Sequence, residues 1–133
     1  MTTENKAVLV AVSDIFFYTK IRDALLPRGY QLERIRAQGE VTTKAATLHP
    51  AALILNMNDL ALDAFQALEQ LKADEGLKNI PILAFANHEE VDTWKRAKDL
   101  GVSKIVSRNE FSARTWELVE EVIQSESSKV IKS

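Results

Sequence analysis

The run Ala7-Val8-Leu9-Val10-Ala11-Val12 has no polar face. A strand with one wet side alternates apolar and polar residues, because successive side chains point to opposite faces of the sheet. A strand that is apolar at every position is buried on both sides, as in a parallel sheet with helices laid over each face. Other short apolar runs follow along the chain, each separated from the next by an amphipathic segment.

The intervening segments supply the helices that such a sheet needs. Ser13 or Asp14 offers an N-cap, and Ile15 to Leu26 is predicted as a helix with Phe17, Ile21 and Leu25 as its inward stripe. Pro27-Arg28-Gly29 ends it. Tyr30 to Arg36 is a second, more polar strand suited to a sheet edge, broken by Gly39, and Val41, Ala45 and Leu48 mark a short helix. After His49-Pro50 a third strand runs from Ala51 to Asn56. A helix is expected over Ala64 to Ala73, with Phe65, Leu68 and Leu71 buried, then a fourth strand over Ile80 to Ala86. The fourth helix spans about Glu89 to Leu100 and stops at Gly101. Val102 to Ser107 is the fifth strand, and Ser112 to Gln124 is the fifth helix, with Trp116, Val119 and Ile123 on one face.

Five strands alternating with five helices define an α/β fold: a doubly wound five-stranded parallel sheet with helices on both faces and right-handed crossovers. Residues 1–6 are a polar N-terminal tail, residues 7–124 one domain, and residues 125–133 a polar C-terminal tail expected to fray.

Composition removes several classes of function. The formal net charge is -2, so no basic stripe calls for nucleic acid. The chain has no cysteine, which excludes disulfides, thiolate catalysis and cysteine-held metals. No apolar run approaches the roughly 18 residues of a membrane span, and Met1 to Lys6 lacks the apolar core of a signal peptide. A soluble, cytoplasmic protein is therefore expected. The four glycines (Gly29, Gly39, Gly76, Gly101) are isolated and form no phosphate loop. His49 and His88 stand far apart without a ligand cluster, so no metal and no cofactor are expected.

In an open parallel sheet, ligands bind outside the carboxyl ends of the strands, where the strand order reverses. The residues to inspect are Val12-Ser13-Asp14, Asn56-Met57-Asn58-Asp59, Ala86-Asn87-His88 and Ser107-Arg108-Asn109. These positions lie in a frame of Gly29-Tyr30, His49-Pro50, Asn79-Ile80-Pro81-Ile82 and Ala97-Lys98-Asp99-Leu100-Gly101-Val102. Together they give the chain, from about residue 7 to 124, a resemblance to the receiver domain of bacterial response regulators. The resemblance implies a flavodoxin-like sheet of order 2-1-3-4-5.

It also sets this chain apart. Receivers carry an acidic pair after strand one that holds Mg²⁺; the matching residues are Val12 and Ser13, with Asp14 the nearby acid. The phosphoacceptor aspartate matches Asn56, and the hydroxyl residue ending strand four matches Ala86. The strand-five lysine matches Arg108, the proline after it matches Asn109, and the aromatic switch residue matches Ile105. Of these landmarks only the positive charge at Arg108 is kept. Phosphoryl transfer to aspartate needs an anionic nucleophile and a metal, and this set of residues supplies neither.

The remaining polar residues have structural expectations. Asp59 reads as a loop aspartate and Asp14 as a helix N-terminal acid. Arg108 is expected to pair with Asp14 or Asp59 ahead of any ligand role, and Asn56 to hydrogen-bond within the old pocket. Glu89 and Glu90 followed by Lys95, Arg96 and Lys98 complement the helix dipole. Phe16, Phe17 and Tyr18 are consecutive, so one helix cannot bury all three, and Trp94 sits among charges. Phe16, Tyr18 and Trp94 are the candidate partner face.

The resemblance thus leads to the expectation of a stand-alone pseudo-receiver, not an enzyme, signalling by contact with another protein (a kinase, a regulator or an output protein) without aspartyl phosphorylation. The resemblance also permits a homodimer through the fourth helix, fifth strand and fifth helix. The alternative is a sensor for a small anion or other small ligand in the vestigial pocket around Arg108.

Overall fold

A computed structural model describes residues 5–132, with side chains described to residue 125; Met1 to Glu4 of the expected N-terminal tail lie outside the described residues. The strands are β1 (Ala7–Ala11), β2 (Gln31–Arg34), β3 (Ala52–Asn56), β4 (Ile82–Ala86) and β5 (Lys104–Ser107). The helices are α1 (Ile15–Leu25), α2 (Glu40–Leu48), α3 (Ala64–Ala73), α4 (Val91–Asp99), α5 (Arg108–Ala113) and α6 (Thr115–Lys132). The strands form one parallel sheet in the order β2-β1-β3-β4-β5.

The apolar runs explain the layering. Alternate residues of the central strands point to opposite faces. Leu9, Leu53, Leu55, Ile82 and Ala84 meet Val41, Ala45, Leu68, Leu71 and Ala97 of α2, α3 and α4. Val8, Val10, Ile54, Leu83 and Phe85 meet Phe17, Ile21 and Leu25 of α1 and Phe111, Leu118, Val119 and Val122 of α5 and α6. Every residue of β3 and β4 is buried, whereas β2 at the edge alternates exposed and half-buried positions.

Several boundaries differ from expectation. β2 does not reach from Tyr30 to Arg36; Tyr30 is buried at 3% exposure in the α1 layer instead of pairing in the ladder. β4 and β5 each begin two residues later than predicted, and α4 begins at Val91. Leu48 is 40% exposed, because α2 ends there and His49 turns the chain at φ 46°. Phe65 is half-buried, with the Arg96 guanidinium 4.1 Å from its ring centre.

The largest difference concerns the last helix. The Ser107 hydroxyl accepts from Glu110 N at 3.1 Å and starts α5 directly after β5. The chain breaks at Arg114, and Thr115 Oγ1 donates to the Phe111 carbonyl at 2.8 Å as α6 begins. The buried face of α6 is Leu118, Val119 and Val122, while Trp116 and Ile123 flank it. No glycine or proline follows Gln124 to stop the helix, and it runs through the expected tail to Lys132.

Candidate functional site

The strand order reverses between β1 and β3, so the crevice of this sheet opens beyond Ala11 and Asn56. Apolar side chains fill its floor. Val12 is 0% and Ala86 1% exposed, and Ile105 is buried in the α2–α3–α4 layer. Asn56 is one of two buried polar residues among those described, at 5% exposure. Its Oδ1 accepts from Asn58 N at 2.9 Å, so the amide is turned onto its own loop.

Two charged residues grip the backbone of Ser13. The Ser13 N–H donates to Asp59 Oδ2 at 2.7 Å, and the Ser13 carbonyl accepts from Arg34 Nη2 at 2.7 Å. Asp59 Oδ1 also accepts from the N–H groups of Ala61 and Leu62, at 2.9 and 3.0 Å. Burial pushes the Asp59 carboxyl up, but hydrogen bonds from the Ser13 backbone and side chain, and from Ala61 and Leu62, outweigh it and hold its pKa below the ordinary value. Asp59 therefore fastens the β3–α3 loop to the end of β1. Arg34 Nε is buried without a hydrogen-bond partner, which makes this grip costly on the Arg34 side.

A second set of bonds ties the β3–α3 loop to the β4–α4 loop. Asn58 Oδ1 accepts from Asn87 N at 2.8 Å, and Asn58 Nδ2 donates to Glu90 Oε1 at 2.9 Å. Asn87 Nδ2 reaches Glu90 Oε2 at 3.2 Å, and the Asn87 carbonyl accepts from Trp94 Nε1 at 3.0 Å. Sequence reasoning missed Arg34 and Glu90 as members of this arrangement. Their bonds span 21 and 32 residues, and no local spacing announces them.

Arg108 opens α5 at the far side of the crevice. Its guanidinium lies 4.3 Å from the Phe17 ring centre and 5.9 Å from that of Phe85. Those rings belong to a cluster with Phe111, the Phe85 and Phe111 centres being 4.5 Å apart. Arg108 Nη2 is 3.9 Å from Asp14 Oδ2, a loose ion pair, and no ion pair joins it to Asp59 among the described residues. Asp14 caps α1, its Oδ1 accepting from Phe16 N and Phe17 N at 2.9 and 3.2 Å.

Phe16, Tyr18 and Trp94 do not share a surface. Phe16 is 82% exposed on the first turn of α1. Tyr18 is half-buried against the α1–α6 layer, whereas Trp94 is half-buried against the opposite α2–α3–α4 layer. The three most exposed large apolar side chains described, Phe16, Leu60 and Val91, all follow the carboxyl end of a strand, at 82%, 102% and 71% exposure. The face of α4, β5 and α6 carries Lys104 Nζ 3.0 Å from Glu121 Oε1, and Arg114 bonded to both Glu121 and Glu110.

A concavity of about 630 Å³ lies at the other pole, beside His49, Pro50, Ile80 and Glu120. None of the strand-end residues above lines it. Among the described residues, no three His, Asp or Glu side chains cluster as they would to hold a metal ion. No described helix is long and apolar enough to cross a membrane.

No family model matches the chain, and no curated protein matches it in sequence. Solved structures do match its fold. The signal receiver domain of a signal transduction histidine kinase from Syntrophus aciditrophicus superposes with a TM-score of 0.79 at 16% identity, over 90% of this chain and 91% of that one. The phosphorylated cyanobacterial phytochrome response regulator RcpA gives 0.71 at 20% identity, over 92% of each chain. The receiver domain of NtrX from Brucella abortus gives 0.77 at 13% identity, over 88% of this chain and 98% of that one. The fold of this chain is the receiver fold.

Proposed function

We propose that this chain is a receiver-type signalling module that acts by contact with another signalling protein and takes up no phosphoryl group on aspartate. One observation carries the proposal: the residue ending β3 is a buried asparagine, Asn56, whose Oδ1 already accepts from Asn58 N. An acyl phosphate forms on an anionic carboxylate oxygen, and an amide offers none.

The neighbours support the same conclusion. Mg²⁺ takes oxygen ligands at about 2.0–2.1 Å, with one or two carboxylates among them. The places that the resemblance matches to the acidic pair hold Val12, whose side chain is buried, and Ser13. The Asp59 carboxylate, in the β3–α3 loop, already accepts from three backbone N–H groups. Ala86 has no hydroxyl to offer a phosphoryl oxygen, and Ile105 is no aromatic switch.

The alternative, a small anion held around Arg108, has no comparable support. Val12 and Ala86 line the strand-end crevice with buried apolar side chains, and Arg108 lies across the Phe17 ring, towards the α1–α5 side, with Asp14 Oδ2 at 3.9 Å.

The test is to incubate the full chain with acetyl phosphate and Mg²⁺, and separately with autophosphorylated histidine kinases, and to read the intact mass. The expected mass is that of the unmodified chain. A phosphoryl group mapped to Asp14, Asn56 or Asp59 would sink the proposal.

A further inference from the structure

The first turn of α1 combines two features that call for a partner. Phe16 and Ile15 are 82% and 48% exposed beside the buried Phe17, so consecutive residues divide between core and solvent as a helix must divide them. Beside them a cleft of about 330 Å³ opens between α1 and α5, lined by Asp14, Phe16, Phe17, Lys20, Arg108 and Ser112 among others.

The charge of that cleft is opposite to that of the chain. The chain carries a formal -2, yet the cleft presents two cations, Lys20 and Arg108, and a single carboxylate. That carboxylate, Asp14, accepts from the helix N-terminus through Oδ1 and meets Arg108 only loosely through Oδ2, at 3.9 Å, so two cations against one carboxylate leave the cleft net positive. Arg108 is held in place by the Phe17 ring under its guanidinium, while its side chain stays 40% exposed. A cation whose position is fixed before binding loses little freedom when a carboxylate arrives.

We infer that this cleft docks a short segment of a second protein in which an apolar side chain stands beside one or two carboxylates. The apolar group packs on Phe16 and Ile15, and the carboxylates meet Lys20 and Arg108. The inference rests on the proposed contact function and names the surface and chemistry of that contact.

The probe is a phage-displayed library of random short peptides, panned on the full chain, with the enriched sequence then synthesised and titrated by fluorescence anisotropy. Enrichment of peptides that join a large apolar residue to Asp or Glu is the expected result. Phe16→Ser and Lys20→Glu should each weaken binding about tenfold or more, as loss of a central contact does. Ala46→Glu, in the opposite layer, should leave binding unchanged. A peptide with its acidic residue changed to Lys should regain affinity for Lys20→Glu. Phe16 is exposed, so the far-ultraviolet circular dichroism of Phe16→Ser should match the parent.

Failure to enrich any peptide, enrichment of neutral or basic peptides, or binding indifferent to Phe16→Ser would overturn the inference. So would self-association through Phe16 seen by light scattering, which would make a second copy the occupant. Peptides that bind at another face would overturn the cleft and leave the contact function standing. Phosphorylation in the mass experiment removes that function whichever peptides bind.

Discussion

Asp59 Oδ2 accepts a 2.7 Å hydrogen bond from the backbone N–H of Ser13, 46 residues away, and so joins the ends of β1 and β3 directly. The carboxylate accepts from the N–H groups of Ser13, Ala61 and Leu62. Its charge serves to hold loops together.

Asp59→Asn should therefore destabilise the fold by about 1–2 kcal/mol in urea titration, the usual cost of weakening hydrogen bonds to a partly exposed charged group. The effect has a pH signature. The folded pKa of Asp59 is depressed, so its contribution is complete above the unfolded value of about 4 and is lost as pH falls through the lower folded value. The parent should lose stability across that acid window more steeply than Asp59→Asn. Parallel slopes would show that Asp59 is not the group responsible.

Asn56→Asp alone should not create a phosphoacceptor. Val12, Ser13 and Ala86 would still provide neither a metal site nor a hydroxyl. Acetyl phosphate with Mg²⁺ should leave the intact mass of this variant unchanged.

Phe16 and Phe111 should respond oppositely to truncation. Phe111 is 0% exposed and stacks on Phe85 with ring centres 4.5 Å apart, so Phe111→Ala should cost about 3–5 kcal/mol in thermal or urea unfolding. Phe16→Ser removes a solvent-facing ring and should stay within about 0.5 kcal/mol of the parent. Equal losses would mean that the first turn of α1 is packed otherwise than described.

Asn58→Ala cuts both bonds from the β3–α3 loop to the β4–α4 loop. The Asn87 N–H then loses its acceptor, and its hydrogen exchange should quicken about tenfold, the equivalent of roughly 1 kcal/mol. Core amides of β3 and β4 should be unaffected.

The sheet was legible because burial on both faces leaves β1, β3 and β4 with uninterrupted apolar runs. α3 has the bounds expected from its stripe of Phe65, Leu68 and Leu71, and the structure adds the cap at its start, Asp63 accepting from Gln66 N. The break at Arg114 was not legible: no glycine or proline marks it, and only the packing of Phe111 under β4 requires α5 to start at once after β5. The edge strand β2 was overextended because Tyr30 and Ile35 look like strand residues, although both are buried just outside the ladder.

At the strand ends, the sequence reading named the residues but not their partners. Asp14 and Asp59 were equal choices for Arg108, and only the folded chain puts Asp14 at 3.9 Å while Asp59 turns to Ser13. The grip of Arg34 on Ser13 depends on the β1–β2 register, which pairs Val10 with Arg34. Trp94 was read as a surface aromatic among charges; its ring packs on the core and its Nε1 donates to the Asn87 carbonyl.

The bonds from Ser13 to Asp59 and from Asn58 to Asn87 and Glu90 have one property in common: every participant is a permanent part of the chain. A latch that closes on an ion or a phosphoryl group can be set and reset by adding or removing that group. The bonds named here need no such group. On the proposed function, such a molecule would keep no record of a phosphorylation event, and the amount of the chain would set its signal. Its message is dose.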